Sequence, residues 1–231
     1  MRTRPTRALR RGRPRPLRRQ GPRRNVCFRF DATLDDGRAG RGDHERAERQ
    51  PTIFALRTLA RSIDAREPGR RGHSERVADL AVALATAIGI PIESAIPLRE
   101  AALLHDLGKV AVDGEAGTGA GGPGPAETAG VHGHPVLGEQ MTRGILTPAQ
   151  SQWVRWHHEL FDGTGYPDGL AGEEIPVEAR ILAVADAWDL LTGRRPTATA
   201  LAEMEASAGT RFCPTVVDAR ARLHRAAALS P

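Results

Sequence analysis

An all-α bundle of about seven or eight helices, preceded by a disordered basic tail, is what this 231-residue sequence predicts. Three observations carry the prediction. Aromatic residues are only 4% of the chain, so the core must come from Leu, Ile, Val and Ala. Apolar residues recur at steps of three and four, and no convincing strand alternation or internal repeat is present. The basic charge is concentrated at one end. Residues 1–50 hold sixteen Arg against six acids, whereas residues 51–231 hold seventeen Lys/Arg against twenty-two acids.

The elements follow in order. Residues 1–24 carry eleven Arg and almost no large apolar side chains. Such a segment buries too little surface to offset the entropy of ordering it. Residues 1–50 are therefore expected to be a disordered Arg-rich tail, with nucleic-acid binding as the alternative reading. From Pro51 the pattern turns helical, with Ile53, Leu56, Leu59, Ala60 and Ile63 in phase up to Pro68-Gly69. A second helix follows Gly72, carries Val77, Leu80, Ala81, Leu84 and Ile88, and stops at Gly89. Pro97 suits the first turn of a third helix running to Gly108. Residues 113–130 contain seven Gly and two Pro and read as a flexible loop. A short helix is expected from His134 to about Gly144. Thr147-Pro148-Ala149-Gln150 matches a capping box opening a helix to His157. Residues 159–175 form a turn-rich loop, and Pro176–Leu191, Ala198–Ala208 and Pro214–Ala228 complete the bundle.

Several classes are excluded. No run of about 18 apolar residues occurs, so no segment spans a membrane. The basic N-terminus has no apolar stretch behind it and is not a secretory signal. Two cysteines, Cys27 and Cys213, do not make a disulfide framework or a cysteine zinc site. The chain reads as cytoplasmic.

The chemistry sits at helix ends. His105-Asp106 closes an apolar helix, and His157-His158 closes another. Adjacent residues there can ligate one metal together, or a carboxylate can bridge two. Asp186 interrupts the apolar run Ile181–Ala185, and a buried carboxylate without a partner costs several kcal/mol. A metal is an economical partner, and imidazole with carboxylate suits Fe, Mn, Zn or Ni rather than calcium. Lys109 is the single lysine in the chain against thirty-two arginines, so composition alone would have placed Arg there.

These residues resemble a known family. His105-Asp106-Leu107-Gly108-Lys109 is similar to the HD signature of metal-dependent phosphohydrolases. His157-His158-Glu159 followed by Asp162-Gly163-Thr164-Gly165-Tyr166-Pro167 resembles the HD-GYP subgroup. Gly72-His73-Ser74-Glu75-Arg76-Val77, His134-Pro135, Gly172–Pro176, Val184-Ala185-Asp186 and Arg195-Pro196 fit the same pattern in the same order. The resemblance implies an HD-type helical domain over residues 51–231. It implies a phosphodiesterase that hydrolyses cyclic di-GMP to the linear dinucleotide, to GMP or to both.

Carried over position by position, it implies two divalent metals, Fe or Mn first and Zn or Ni as alternatives. One takes His73, His105, Asp106 and Asp186. The other takes Asp106 as a bridge with His134, His157 and His158. Two metals sharing a water lower its pKa, and the resulting hydroxide attacks phosphorus in line. Lys109 is expected to hold a non-bridging phosphate oxygen. Asp162 either shapes the pocket lip or sets a turn, and Tyr166 either stacks on a guanine or packs its loop. Asp189 makes either a supporting contact to a ligand or a guanine contact. Arg195 falls where the family places a ligand-contacting Arg. His44, His132 and His224 match no ligand position and read as structural or surface residues. His132 remains the alternative to His134.

The sequence also departs from the family. Some members bind a third metal through a Glu one turn before the early His, and that position is Gly69 here. Residues 113–130, Leu160, Thr197, Ala198 and Cys213 also depart from the usual pattern. The metal ligands are retained and the substrate contacts are thinned. Two alternative readings follow: an HD phosphohydrolase for another nucleotide, or a weakly active module that binds nucleotide or a protein partner.

Overall fold

The structure, a computed structural model, describes residues 41–111 and 125–228. Among them are eight α-helices: α1 (Arg41–Arg66), α2 (His73–Ala87), α3 (Ile92–Leu104), α4 (Pro125–Thr142), α5 (Pro148–Arg155), α6 (Val177–Thr192), α7 (Thr197–Ala206) and α8 (Pro214–Ala228). Short 3-10 turns at Leu107–Ala111 and Gly172–Glu174 follow α3 and precede α6. The described residues contain isolated bridges but no strand, so the all-α expectation holds.

The core forms where the apolar stripes meet. Val77, Ala78, Ala81, Leu84 and Ala85 of α2 are buried at steps of three and four, against Leu98, Ala101, Ala102 and Leu104 of α3. The many alanines let these helices approach closely. Ile181, Leu182, Val184 and Ala185 of α6 close the third side, with Val216, Val217 and Ala219 of α8 beneath. Leu84 and Leu104 have no exposed surface. Truncating either to Ala costs about 2–5 kcal/mol by loss of transfer energy and cavity formation.

Two local devices align the helix ends that carry the site. Thr147 Oγ1 accepts the Gln150 N–H at 3.3 Å, and Gln150 Oε1 accepts the Thr147 N–H at 2.9 Å, completing the capping box. Gln150 Nε2 then donates to the Pro97 carbonyl (2.8 Å) and to Glu100 (2.9 Å), tying the start of α5 to α3. At the other end, Asp64 of α1 accepts both the backbone N–H and the hydroxyl of Ser74 at 2.9 Å each. That pair fixes the first turn of α2.

Three boundaries differ from expectation. Helix α1 begins at Arg41, not at Pro51, so residues 41–50 are helical rather than tail. Their sequence has no apolar stripe, which is why periodicity does not show them. Helix α3 begins at Ile92 after Pro91, and Pro97 lies inside it rather than in its first turn. Helix α4 begins at Pro125, so residues 125–130 belong to it and not to the glycine-rich loop. Residues 1–40 and 112–124, with the disorder and nucleic-acid expectations placed on the tail, lie outside the described residues. No helix among the described residues is long and apolar enough to cross a membrane.

Candidate metal centre

Five elements deliver the candidate ligands to one buried cluster. His73 is the first residue of α2, and His105 and Asp106 lie just past the last turn of α3. His134 is inside α4, His157 and His158 follow α5, and Asp186 is in the middle of α6. His73, His105, Asp106, His134, His157 and Asp186 are all buried. Donor atoms of His73, His105 and Asp106 form one group within 4.8 Å, and those of His134, His157 and His158 form another.

Asp106 stands between the two groups. Its Oδ2 lies 3.7 Å from His73 Nε2 and 3.5 Å from His105 Nε2, while its Oδ1 lies 3.3 Å from His134 Nε2. His134 Nε2 in turn is 3.3 Å from His157 Nε2. Asp186 Oδ1 approaches His73 Nε2 at 3.2 Å and His105 Nε2 at 3.9 Å. One oxygen of Asp106 thus faces each side, as a bridging carboxylate requires.

The histidines are held by their other nitrogen. His105 Nδ1 donates to the Ala102 carbonyl at 2.7 Å, and His157 Nδ1 donates to the Val154 carbonyl at 2.6 Å. His73 Nδ1 donates to Asp189 Oδ2 at 2.7 Å. These bonds fix the tautomer and aim Nε2 at the cluster, the usual support for a ligating imidazole. Apart from their approaches to one another, His73 Nε2, His105 Nε2 and Asp186 Oδ1 are buried with no well-formed hydrogen bond. Each such atom costs about 1–3 kcal/mol when left unsatisfied. All three point at one place, and a divalent cation there satisfies them together. The residues present therefore fit a metal.

The electrostatics agree. Burial, reinforced by neighbouring imidazoles, holds His157 well below its ordinary value, and burial brings His158 down to about 4. Both are neutral near physiological pH, with a lone pair to offer. Burial also works against charge on Asp106 and Asp186, but adjacent histidines, joined at Asp106 by Lys109, outweigh it and keep both carboxylates ionised. Burial pushes His73 down, yet the Asp186 and Asp189 carboxylates prevail and raise it to about 9. Ligation through its Nε2 would require loss of that proton.

The remaining predicted residues divide. Lys109 reaches the cluster, with Nζ 2.7 Å from Asp106 Oδ2. Asp189 supports His73 and is itself gripped by Arg76 through Nε and Nη2, at 2.5 and 2.9 Å. Burial raises the Tyr166 phenol to about 12, and its ring lies 5.1 Å from that of His158 at the edge of the cluster. Asp162 Oδ1 accepts the Thr164 backbone N–H (3.0 Å) and hydroxyl (2.7 Å), so the residue is exposed and sets a turn. Arg195, expected to contact the ligand, is exposed and ion-paired with Glu203 of α7. The glycine before Tyr166 is dictated by contact. A Cβ on Gly165 would meet Leu160 N at 2.2 Å and Glu159 Cα at 2.6 Å, so only Gly lets the loop press on the segment that follows α5.

Sequence reasoning did not pick out several residues. Arg70 Nη1 donates to Asp106 Oδ2 at 2.8 Å. His132, read from the sequence as a structural or surface residue and as the alternative to His134, stacks on Tyr166 with ring centroids 4.3 Å apart. Arg155 and Trp156 clasp Asp168 with three bonds of 2.6 Å, and Glu159 accepts the N–H groups of Asp168, Gly169 and Leu170. A cavity of about 200 Å³ opens beside His157, His158 and Asp186, and Leu190, Leu191, Arg211 and Phe212 line its far wall. Among thirty-two arginines, no compositional signal marks Arg70 or Arg155.

Known proteins resemble this chain in sequence and in fold. Residues 57–216 match the HD domain family. The chain is 37% identical over 180 residues to the cyclic di-GMP phosphodiesterase response regulator RpfG of Xanthomonas campestris, covering 72% of this chain and 47% of that protein. It is 39% identical over 141 residues to the 3′3′-cGAMP-specific phosphodiesterase 3 of Vibrio cholerae, covering 60% of this chain and 30% of that one. A crystal structure of a cyclic GMP-AMP-specific phosphodiesterase of V. cholerae, V-cGAP3, superposes with a TM-score of 0.62 at 19% identity, over 75% of this chain and 48% of that one. That likeness concerns the fold. The chain spans less than half the length of each of these proteins.

Proposed function

The chain belongs to the HD domain family, in its HD-GYP subgroup, and on that premise we propose that it is a metal-dependent phosphodiesterase of cyclic dinucleotides, with cyclic di-GMP as its substrate. The observation that carries the reading is Asp106. It faces His73 and His105 with one oxygen and His134 with the other, beside three buried donor atoms that converge on one another without a well-formed hydrogen bond. His73, His105, Asp106 and Asp186 would hold one divalent ion, and Asp106, His134, His157 and His158 a second, a ligand set that suits Fe or Mn, with Zn or Ni as alternatives. When bound, two such ions supply a hydroxide near neutral pH and neutralise charge developing at phosphorus.

The chain's own residues do the rest. Lys109 supplies a point charge to a non-bridging phosphate oxygen. Tyr166, braced by His132, offers a flat face above His158 for a purine. The cavity bounded by Leu190, Leu191 and Phe212 supplies an apolar slot beside the phosphate position. Burial around the cluster keeps bulk water away from the reacting phosphate.

The named relatives include cyclic di-GMP and 3′3′-cGAMP phosphodiesterases, which favours a panel as the test. Protein reconstituted anaerobically with iron or manganese is assayed for metal content and incubated with cyclic di-GMP, 3′3′-cGAMP and cyclic di-AMP, and products are resolved by chromatography. About two metals per chain and conversion of cyclic di-GMP to linear dinucleotide or GMP are expected. Full metal occupancy with no cyclic dinucleotide consumed would refute the reading.

A further inference from the structure

Asp106 Oδ2 accepts two cations, not one: Lys109 Nζ at 2.7 Å and Arg70 Nη1 at 2.8 Å. We propose that Arg70 is a second phosphate-binding residue of the site, forming with Lys109 a two-cation clamp on the non-bridging oxygens of the phosphodiester. The inference rests on the phosphodiesterase reading above.

The position of Arg70 is built into the fold. The Arg70 N–H donates to the Glu67 carbonyl at 3.1 Å, and the Arg70 carbonyl accepts the His73 N–H at 2.8 Å. One tight turn therefore sets both Arg70 and the first histidine of the cluster. Glu67 Oε2 holds Arg70 Nε at 2.9 Å, and Glu67 Oε1 lies 3.5 Å from Lys109 Nζ. Glu67 thereby spaces the two cations side by side. The side chains of Arg70 and Lys109 are 14% and 17% exposed, against 6% for Asp106. They are thus more open to solvent than the carboxylate they hold.

The charge balance argues for an anion. Arg70 carries a guanidinium, which stays charged in proteins. Asp106 is also the carboxylate that both groups of candidate metal ligands face. If it were shared with divalent cations, its hold on Arg70 and Lys109 would weaken, leaving Glu67 as the carboxylate in contact with both. A phosphodiester restores the balance. Arg70 has five N–H donors in a planar fork, and its contacts to Glu67 and Asp106 use only part of that capacity. Lys109 gives a point charge, and Arg70 adds a direction. If the inference is wrong, Arg70 is a brace pinning the turn before α2 to the turn after α3.

The test uses the full chain loaded with manganese, as wild type, Arg70→Gln and Arg70→Lys. Metal content and thermal midpoint are measured first. Binding of inorganic phosphate is then followed by calorimetry, and turnover is measured on cyclic di-GMP and on bis(4-nitrophenyl) phosphate, a diester without a base. A clamp predicts unchanged metal content, phosphate binding weakened about tenfold or more, and kcat/KM lowered on both diesters by about 10²–10³, typical of losing one preorganised charge-stabilising donor. Arg70→Lys should recover part of each loss. Wild-type phosphate affinity and turnover in Arg70→Gln overturn the inference. So does loss of metal or of thermal stability in Arg70→Gln that Arg70→Lys restores with no separate effect on phosphate, because that marks a brace. Failure of the substrate reading looks different: wild type ignores every cyclic dinucleotide, while phosphate binding and aryl-diester turnover still depend on Arg70.

Discussion

Gly108→Ala is the substitution that most directly tests how the cluster is assembled. Gly108 lies in the 3-10 turn two residues after Asp106, packed against the backbone of α4. A Cβ there would lie 2.0 Å from the His134 carbonyl oxygen and 2.7 Å from the Gly138 nitrogen. Ordinary contacts begin near 3.4 Å, so the turn and α4 must separate by roughly 1 Å or more, and the obstacles are backbone that cannot rotate away. The same two segments carry Asp106 and His134, whose approach of 3.3 Å joins the two halves of the cluster. A separation of that size opens the join. Overpacking of this kind costs about 1–3 kcal/mol, and a backbone clash belongs at the upper end. Gly138→Ala is the control, because its nearest obstacle is a side-chain methyl, Val154 Cγ1 at 2.9 Å. Urea denaturation and metal analysis should show Gly108→Ala both less stable and short of at least one metal per chain, with Gly138→Ala milder on both counts. Wild-type stability and full metal content in Gly108→Ala would show that the close approach does not hold the cluster together.

Other perturbations separate the roles of neighbouring residues. Asp106→Ala should lose metal from both groups and abolish turnover, as read by metal analysis and product chromatography; a variant keeping two metals would remove Asp106 from its bridging place. Lys109→Ala should keep its metals and turn over about 10²–10³ times more slowly, and a wild-type rate at full occupancy would end its phosphate role. Asp189→Ala removes the acceptor that orients His73, so metal affinity should fall about 10–100-fold in a chelator competition, and unchanged affinity would count against it. Asp168 is drawn down to about 2 by its bonds to Arg155 and Trp156, against slight burial. Its folded value lies below the unfolded one, so its contribution to stability is present above about pH 4 and is lost as pH falls through about 2. Asp168→Asn should flatten that part of a stability-versus-pH curve, and an unaltered curve would show that the clasp contributes nothing.

Much of the centre was legible because metal chemistry restricts residue type. A histidine beside a carboxylate at the end of an apolar run, and an aspartate inside one, are costly without a partner. Those costs single out His105, Asp106 and Asp186 in the sequence alone. Thr147 and Gln150 were legible for a similar reason, since a cap has few chemical solutions. Helix α1 was legible only from Pro51, because residues 41–50 have no apolar face to give a period. Arg70 stayed hidden among many arginines. The ion pair of Arg195 with Glu203 was not legible either, because the position after α6 says nothing about a carboxylate on the next helix. The Asp189–His73 bond joins residues 116 apart in the chain, and no local pattern reports a contact of that range.

The helix ends also explain why the ligands sit where they do. A helix leaves its last carbonyl groups without intrahelical partners. His105 and His157 each follow such an end, and each gives its Nδ1–H to the carbonyl three residues back, at Ala102 and Val154. One bond caps the helix and fixes the tautomer, leaving Nε2 pointed inward, while the next residue, Asp106 or His158, is free to turn toward the same centre. His73 opens α2 instead, where the unpaired backbone groups are N–H donors that an imidazole N–H cannot satisfy. Its Nδ1 therefore needs an acceptor from elsewhere, and Asp189 provides one from α6, one turn beyond Asp186. The difference makes the His73 side of the centre dependent on a side chain, and so mutable, where the His105 and His157 sides rest on backbone.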